Sequence, residues 1–293
     1  MTTVSAVIPT FNRAQTLARA LASVFAQSRP PDEVLVVDDR STDGTPAVVR
    51  EFPQARLIAL DRNGGAGRAR NEGVRQATGK WIAFLDSDDA WHREKLERQL
   101  ARVAAAPGID LLCTGVTVHE RGGRIDEHRG ATPRAPAGWT FADFQAYPFC
   151  PTTWLIRRDM FLDAGRFDET LRNAEDLDFL ARIARRRIEV LPQPLATKHN
   201  RGDSLDAGLE RTADSYRILF ERHAGLWAQA PDAAARSCRR LANMYITQGR
   251  LPEARRALVQ GLRYWPWDYR SWILLGLSPL GGRGYTMLRR LAR

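Results

Sequence analysis

Cysteine is scarce in this chain: Cys113, Cys150 and Cys238 are the only three in 293 residues, and no C-x-x-C pair occurs. Neither a zinc knuckle nor a disulfide framework is indicated, and a reducing compartment suits such usage. Long apolar runs are missing too. No stretch of about 18 apolar residues appears, so no transmembrane helix is expected. No basic stretch followed by a longer apolar run precedes the first strand candidate, so no signal peptide is expected. Two common nucleotide loops are absent as well. Gly65-Ala66-Gly67-Arg68-Ala69-Arg70 lacks the third glycine of a dinucleotide fingerprint. Gly79-Lys80-Trp81 lacks the hydroxyl residue of a phosphate loop, and Gly73 stands one residue too far upstream.

What the chain does have is a core. Hydrophobic residues make up 44% of it, which excludes global disorder. The most telling run is Trp81-Ile82-Ala83-Phe84-Leu85-Asp86-Ser87-Asp88-Asp89. An apolar strand candidate delivers a carboxylate cluster to its C-terminal end. Carboxylates so placed repel one another unless a cation or strong donors compensate. Mg²⁺ and Mn²⁺ take oxygen ligands, and Mg²⁺ uses one or two carboxylates plus substrate phosphates. A solvated turn that merely closes a strand is the competing reading of this segment alone.

Residues 1–118 alternate between strand and helix patterns. Strand candidates are Val4–Ile8, Glu33–Val37, Arg56–Leu60, Trp81–Leu85 and Asp110–Val118. Leu17, Leu21, Val24 and Phe25 recur at helical spacing. A second helix opens at Gly44-Thr45-Pro46, a third follows Gly67, and a fourth runs from about His92 to Ala105. Such alternation predicts an α/β fold with a mostly parallel, twisted sheet covered on both faces. The loops after the strands carry Thr10-Phe11-Asn12-Arg13, Asp38-Asp39 and Asp86–Asp89, three polar clusters on one sheet edge. Residues 119–173 are looser, with a hairpin expected near Gly122-Gly123. Glu175, Asp176 and Asp178 then form an acidic entry into an amphipathic helix, which helix-dipole complementarity alone would explain.

Charge divides the chain. From Arg236 to Arg293 there are twelve Arg against Glu253 and Asp268, so this last fifth carries the whole net charge of +10. Either an anionic partner such as a membrane face or an ordinary arginine-rich helical face accounts for it. Beyond about residue 206 the pattern is all helical. Leu241, Ala242, Tyr245, Gly249, Ala254, Leu258, Gly261 and Pro266 fall at the offsets of one tetratricopeptide repeat. Trp272-x-x-Leu275-Gly276 looks like the start of a second, broken by Ser278-Pro279. Met287, Leu288 and Leu291 add a short apolar stripe beside basic residues.

In order, these segments resemble family 2 glycosyltransferases of the GT-A fold over about residues 3 to 205. Residues 4–13 and 33–45 resemble the family's first two strands and nucleotide-binding loops. Asn63-Gly64-Gly65 with Ala69–Gly73 resembles the segment crossing the donor diphosphate, and Leu85–Asp89 its D-x-D. Trp154–Arg158 with Gly165–Glu169 resembles the acceptor side, and Glu175-Asp176 the dipeptide that carries the base. The resemblance implies a 1–205 catalytic domain followed by a 206–293 tetratricopeptide-like basic extension. It implies that Pro9, Thr10, Asn12, Arg13, Asp39, Arg70 and Asp86 bind a nucleoside-diphosphate-sugar, with a pyrimidine base and hence UDP- or dTDP-sugars favoured. It implies a divalent cation, Mn²⁺ or Mg²⁺, on Asp86 and Asp88, with His199 as a candidate third ligand. Asp176 is the implied catalytic base that takes the proton of an acceptor hydroxyl during one inverting displacement.

The Q-x-x-R-W signature and the membrane spans of processive synthases are absent, which favours addition of a single sugar. The expected setting is bacterial-type cell-surface polysaccharide assembly, in the cytoplasm or peripherally at the inner membrane face, with a lipid-linked glycan among the possible acceptors. No nucleic-acid partner is expected, since the basic tail contains no recognised module. Two other readings stand beside this one. A sugar nucleotidyltransferase should show a glycine-rich phosphate loop near the N-terminus, and Pro9-Thr10-Phe11-Asn12 is not one. A non-catalytic adaptor would need neither Asp88 nor Asp176.

Overall fold

The structure is a computed structural model and describes residues 2–120, 122–128, 139–140, 143–144, 149–171, 173–199 and 209–277. The terminal stripe Met287, Leu288 and Leu291 and the break at Ser278-Pro279 lie outside these residues. Two compact units are present, residues 1–139 with 144–202, and residues 140–143 with 203–293.

The first unit is built on a nine-stranded sheet. Its strands are β1 Val4–Thr10, β2 Glu33–Asp38, β3 Ala55–Ala59, β4 Trp81–Phe84, β5 Ala90–Trp91, β6 Leu111–His119, β7 Ile125–His128, β8 Leu155–Arg157 and β9 Ile188–His199. Their order is β3-β2-β1-β4-β8-β6-β9-β5, with β7 paired to β6. β3, β2, β1 and β4 are mutually parallel, as the alternating pattern predicts. β8 enters antiparallel between β4 and β6, while β6 and β9 pair parallel. The strand at Leu111 is therefore not the neighbour of β4 that sequence order alone suggests.

All seven residues of β1 are buried, which requires cover on both faces. Alternate side chains serve opposite layers. Val4, Ala6 and Ile8 join Leu17, Leu21 and Val24 of α1 (Leu17–Phe25), Val49 of α2 (Thr45–Arg50) and Leu96 of α4 (Lys95–Ala105). Val7 faces the other way, onto α3 (Ala66–Gln76). Contact there is close enough that a Cβ on Gly73 would stand 2.4 Å from Val7 Cγ1 and 3.1 Å from Val37 Cγ2. The fourth helix begins at Lys95, later than the periodicity suggests, because Ala90-Trp91 pairs with Ala196-Thr197. α5 (Arg158–Asp163) and α6 (Glu175–Arg182) complete the unit. A core of Phe84, Trp154, Phe161, Phe167 and Phe179 seats α6.

The second unit is helical: α7 Leu209–Arg222, α8 Ala224–Trp227, α9 Pro231–Thr247, α10 Leu251–Tyr264 and α11 Tyr269–Leu277. Leu241, Ala242, Tyr245, Ala254 and Leu258 are all buried. At Gly261 a Cβ would meet Cys238 Cβ at 2.9 Å and Ala235 O at 3.3 Å, so α9 and α10 are in close contact there. Trp265, Trp267 and Trp272 are exposed, so they do not serve as buried anchors. Among the described residues no helix is long and apolar enough to cross a membrane.

Candidate active site

Parallel register brings the ends of β1, β2 and β4 to one edge. Thr10 lies opposite Asp38, and Val7 opposite Phe84, two residues before Asp86. Pro9 and Thr10 are buried at the end of β1. The Thr10 hydroxyl is buried with no hydrogen-bond partner in the structure. A buried polar atom of this kind costs free energy unless a ligand completes it.

The loops after β1 and β2 are stitched together. Asn12 N–H donates to Ser41 Oγ at 2.8 Å, Thr42 N–H donates to Asn12 Oδ1 at 2.8 Å, and Arg13 N–H donates to Thr45 Oγ1 at 2.8 Å. Asn12 and Arg40 hold left-handed backbone, φ 52° and 67°, a conformation disfavoured for non-glycine residues. Asn12 thus shapes the loop as well as standing at the donor edge.

Asp39 is buried and accepts from Gly64 N–H at 2.8 Å and Gly65 N–H at 2.7 Å, one on each carboxylate oxygen. It thereby caps the turn that starts α3, where Gly65 adopts φ 89°, open to glycine and strained for other residues.

Arg70, on α3, is buried at the centre of the site. Its Nη1 donates to Glu175 Oε1 at 2.7 Å and its Nη2 to Asp86 Oδ1 at 2.6 Å, while Nε has no partner. One guanidinium therefore ties the turn after β4 to the first residue of α6. Resemblance points Arg70 at a diphosphate. The structure adds a task that sequence reasoning missed, since the Glu175 pairing spans 105 positions and nothing local signals it.

The cluster is rich in carboxylates. Asp88 lies 3.7 Å from Arg13 Nε. Asp89 accepts from Thr152 Oγ1 at 2.7 Å and from the His199 backbone N–H at 3.1 Å, binding the Cys150–Thr153 loop and the end of β9 to the turn. Burial, then Asp86 and Asp88, push the Asp89 carboxyl up to about 7. Burial followed by Asp86 also raises Asp88. For Asp86 burial acts upward, but the charge and hydrogen bond of Arg70 outweigh it and the carboxyl falls below its ordinary value. Burial lifts Glu175 to about 6 against Arg70, and lifts Asp176 in the same direction. Asp176 is half-buried, with one oxygen accepting from Leu177 N–H at 2.8 Å.

Lys198, next to His199 on β9, adds a cation to this cluster. Its ammonium is held charged by Cys150, Asp86, Asp89 and Asp176 against the opposing effect of burial. Five carboxyl groups (Asp86, Asp88, Asp89, Glu175 and Asp176) thus share the cluster with three cations (Arg13, Arg70 and Lys198). Burial first, and then neighbouring carboxylates, hold Asp88, Asp89, Glu175 and Asp176 above their ordinary values, so the cluster carries less negative charge than the formal count. A hard divalent cation fits this donor set.

Asp86, Asp88 and His199 are not assembled as a cage. Among the described residues no group of three His, Cys, Asp or Glu side chains is arranged to hold a metal ion. Asp86 is engaged by Arg70, and the His199 ring lies edge-on to His119 with centroids 4.9 Å apart. A cavity of about 350 Å³ lies beside α3 instead, lined by Asp61, Arg68, Glu72, Arg75 and Glu169 among others. It includes none of the expected donor, metal or base residues, and its Arg68 and Arg75 are paired to Asp61 and Glu72. The orphaned Thr10 hydroxyl and the carboxylate cluster lie at the sheet edge, outside this cavity.

Known proteins resemble this chain in sequence and in fold. Residues 5–165 match the family described as "Glycosyl transferase family 2". Over 123 residues the chain is 46% identical to "Succinoglycan biosynthesis protein ExoO" of Rhizobium meliloti, covering 41% of this chain and 35% of that protein. It is 41% identical over 100 residues to "UDP-Glc:alpha-D-GlcNAc-diphosphoundecaprenol beta-1,3-glucosyltransferase WfgD" of Escherichia coli, covering 33% of this chain and 40% of that one. These matches span well under two thirds of the relatives' own length. Among solved structures, S. aureus TarS 1–349 in complex with UDP-GlcNAc shares the fold, with a TM-score of 0.61 and 23% identity over 90% of this chain and 89% of that one.

Proposed function

The chain belongs to glycosyl transferase family 2, and from that premise we propose that it moves one sugar from a nucleoside-diphosphate-sugar to an acceptor hydroxyl, inverting the anomeric centre. The observation that carries this is the Arg70 bridge. It ties Asp86, in the turn after β4, to Glu175, the residue before Asp176.

In this reading Thr10 and Asp39 receive the base, and a pyrimidine N–H finds acceptor capacity on Asp39. UDP-sugars are favoured, in line with the UDP-GlcNAc held by the TarS relative. Asp88, with Asp86, would hold a divalent cation, Mn²⁺ or Mg²⁺, which when bound neutralises charge on the departing nucleoside diphosphate. Lys198 and Arg13 supply positive charge within the same acidic cluster. Asp176 accepts the proton of the attacking hydroxyl, and its upward shift brings it nearer to the working pH of a general base. Attack from the face opposite the departing diphosphate inverts the centre in one displacement.

A lipid-linked glycan is the acceptor class we favour, because the WfgD relative is named for a diphosphoundecaprenol-linked one. We place the reaction at the cytoplasmic side of polysaccharide assembly, one sugar per encounter. The tetratricopeptide-like identity of the helical unit is part of the same proposal.

A thermal-shift screen of nucleoside diphosphates tests the reading. UDP with Mn²⁺ is expected to stabilise the protein by about 2.7 kcal/mol at a hundredfold excess over Kd. In Asp88→Ala the UDP response should become insensitive to Mn²⁺. No response to any nucleoside diphosphate would defeat the donor assignment, and an intact Mn²⁺ effect in Asp88→Ala would defeat the metal assignment.

A further inference from the structure

The corner between α10 and α11 departs from what a soluble helix pair requires. α11 reads Tyr-Arg-Ser-Trp-Ile-Leu-Leu-Gly-Leu, apolar nearly all round, yet only Ser271 in it is buried. Helices of that composition are ordinarily enclosed. Trp267 is 80% exposed, Tyr269 63%, Trp272 54% and Ile273 48%, and Trp265 adjoins them. Contiguous apolar exposure on this scale marks an interaction site.

Charge identifies the occupant. Arg255, Arg256, Arg263 and Arg270 are exposed on the same two helices. From residue 254 onward Asp268 is the only acid. It is already engaged, paired with Arg239 and accepting from Ser271 Oγ at 2.6 Å. The surface is thus aromatic and uniformly cationic. Trp and Tyr settle at the headgroup level of a bilayer, and arginine lays its stem along apolar surface while its head meets anionic lipid. A second protein copy would present the same cations to themselves. The nine described residues of α11 are fewer than the roughly 20 that a bilayer span needs, and their composition suits a segment lying in the interface.

We propose that the Trp265–Ile273 corner is a membrane-docking wedge for anionic phospholipid. Trp267, Tyr269, Trp272 and Ile273 insert at headgroup depth, and Arg263 and Arg270 contact lipid phosphate. This site is distinct from an extended electrostatic tail, because the aromatic side chains carry insertion and the arginines select the lipid. It stands independently of the sugar-transfer reading, since vesicle binding requires no turnover.

The test uses the full chain with phosphatidylglycerol-containing vesicles and with pure phosphatidylcholine vesicles, at low and high salt. Wild type is expected to co-sediment with the anionic vesicles, with a blue shift of tryptophan emission. Trp267→Ser/Ile273→Ser should weaken that binding by at least about tenfold at unchanged salt. Arg263→Glu/Arg270→Glu should abolish the preference for anionic lipid. Both variants change exposed side chains, and unchanged far-UV circular dichroism and thermal midpoint without ligand would verify that they fold. Wild type remaining in the supernatant at low salt overturns the proposal, as does a serine double variant that binds like wild type. Sizing by light scattering gives a third decisive outcome. A wild-type dimer that fails to bind vesicles and becomes monomeric in the serine variant assigns the face to a second copy.

Discussion

Removing Arg70 separates two roles that one side chain could play. If it only faced a diphosphate, Arg70→Met would weaken donor binding and leave the empty protein's stability nearly unchanged. The structure predicts otherwise, because the guanidinium is buried between Asp86 at 2.6 Å and Glu175 at 2.7 Å. Without it, buried Glu175 and half-buried Asp86 lose their shared cation. Breaking a buried ion pair in this way costs about 3–5 kcal/mol. For a unit of this size that corresponds to a fall in Tm of about 10 °C. Glu175, already raised to about 6 by burial, should move further up and take on a proton, limiting the loss. A second substitution, Glu175→Gln, then removes one of the stranded charges. The double variant should therefore recover stability, with a coupling energy of about 1–3 kcal/mol. Urea unfolding of the four proteins, without nucleotide, measures the cycle. Arg70→Met within about 1 kcal/mol of wild type would refute the reasoning, and so would strict additivity.

Three further outcomes are expected. Asp176→Asn preserves shape and removes the base, so kcat should fall by about 10²–10⁴ with donor affinity within a few-fold; activity near wild type would reduce Asp176 to a helix-entry acid. Lys95 is fully buried, its ammonium held over Trp91 and donating to Gln99 Oε1 at 2.9 Å, and burial pushes it down to about 7 from 10.5. Between those values the unfolded chain carries a proton that the folded chain lacks, so wild type should gain about 1.4 kcal/mol per pH unit relative to Lys95→Met as pH rises, and a pH-independent difference would contradict this. Gly261→Ala places a Cβ against Cys238 and Ala235, so α9 and α10 must separate at a cost of about 1–3 kcal/mol, read by chemical denaturation; an unaffected midpoint would show that the contact yields freely.

Much of the fold was legible because its first half is local and periodic. Val4–Thr10, Glu33–Asp38 and Trp81–Phe84 are strands whose apolar runs demand cover on two faces, and their ends place Thr10, Asp39 and Asp86 on one edge. The second half was less legible. β8 is three residues long and inserts antiparallel between β4 and β6, a pairing that no periodicity announces. β5 is two residues long and has no pattern of its own, since its partner Ala196-Thr197 lies more than a hundred positions away. In the helical unit the spacing of Leu241, Ala254, Leu258 and Gly261 identified the buried faces in advance. The tryptophans of the next turn carried no such signal, because a single aromatic residue suits a core and an exposed patch equally.

By itself the sequence placed Thr10, Asp39, Asp86 and Asp88 at the ends of strands on one sheet edge, because strand period and turn chemistry are short-range. Tertiary structure alone decided how those groups are charged and to what they are tied. Arg70 meets Glu175, Asp89 meets Thr152 and the His199 amide, and Lys198 enters the carboxylate cluster only after β9 has crossed the sheet. These are electrostatic facts. Their magnitude depends on distance and on exclusion of water, and neither exists until the chain has closed.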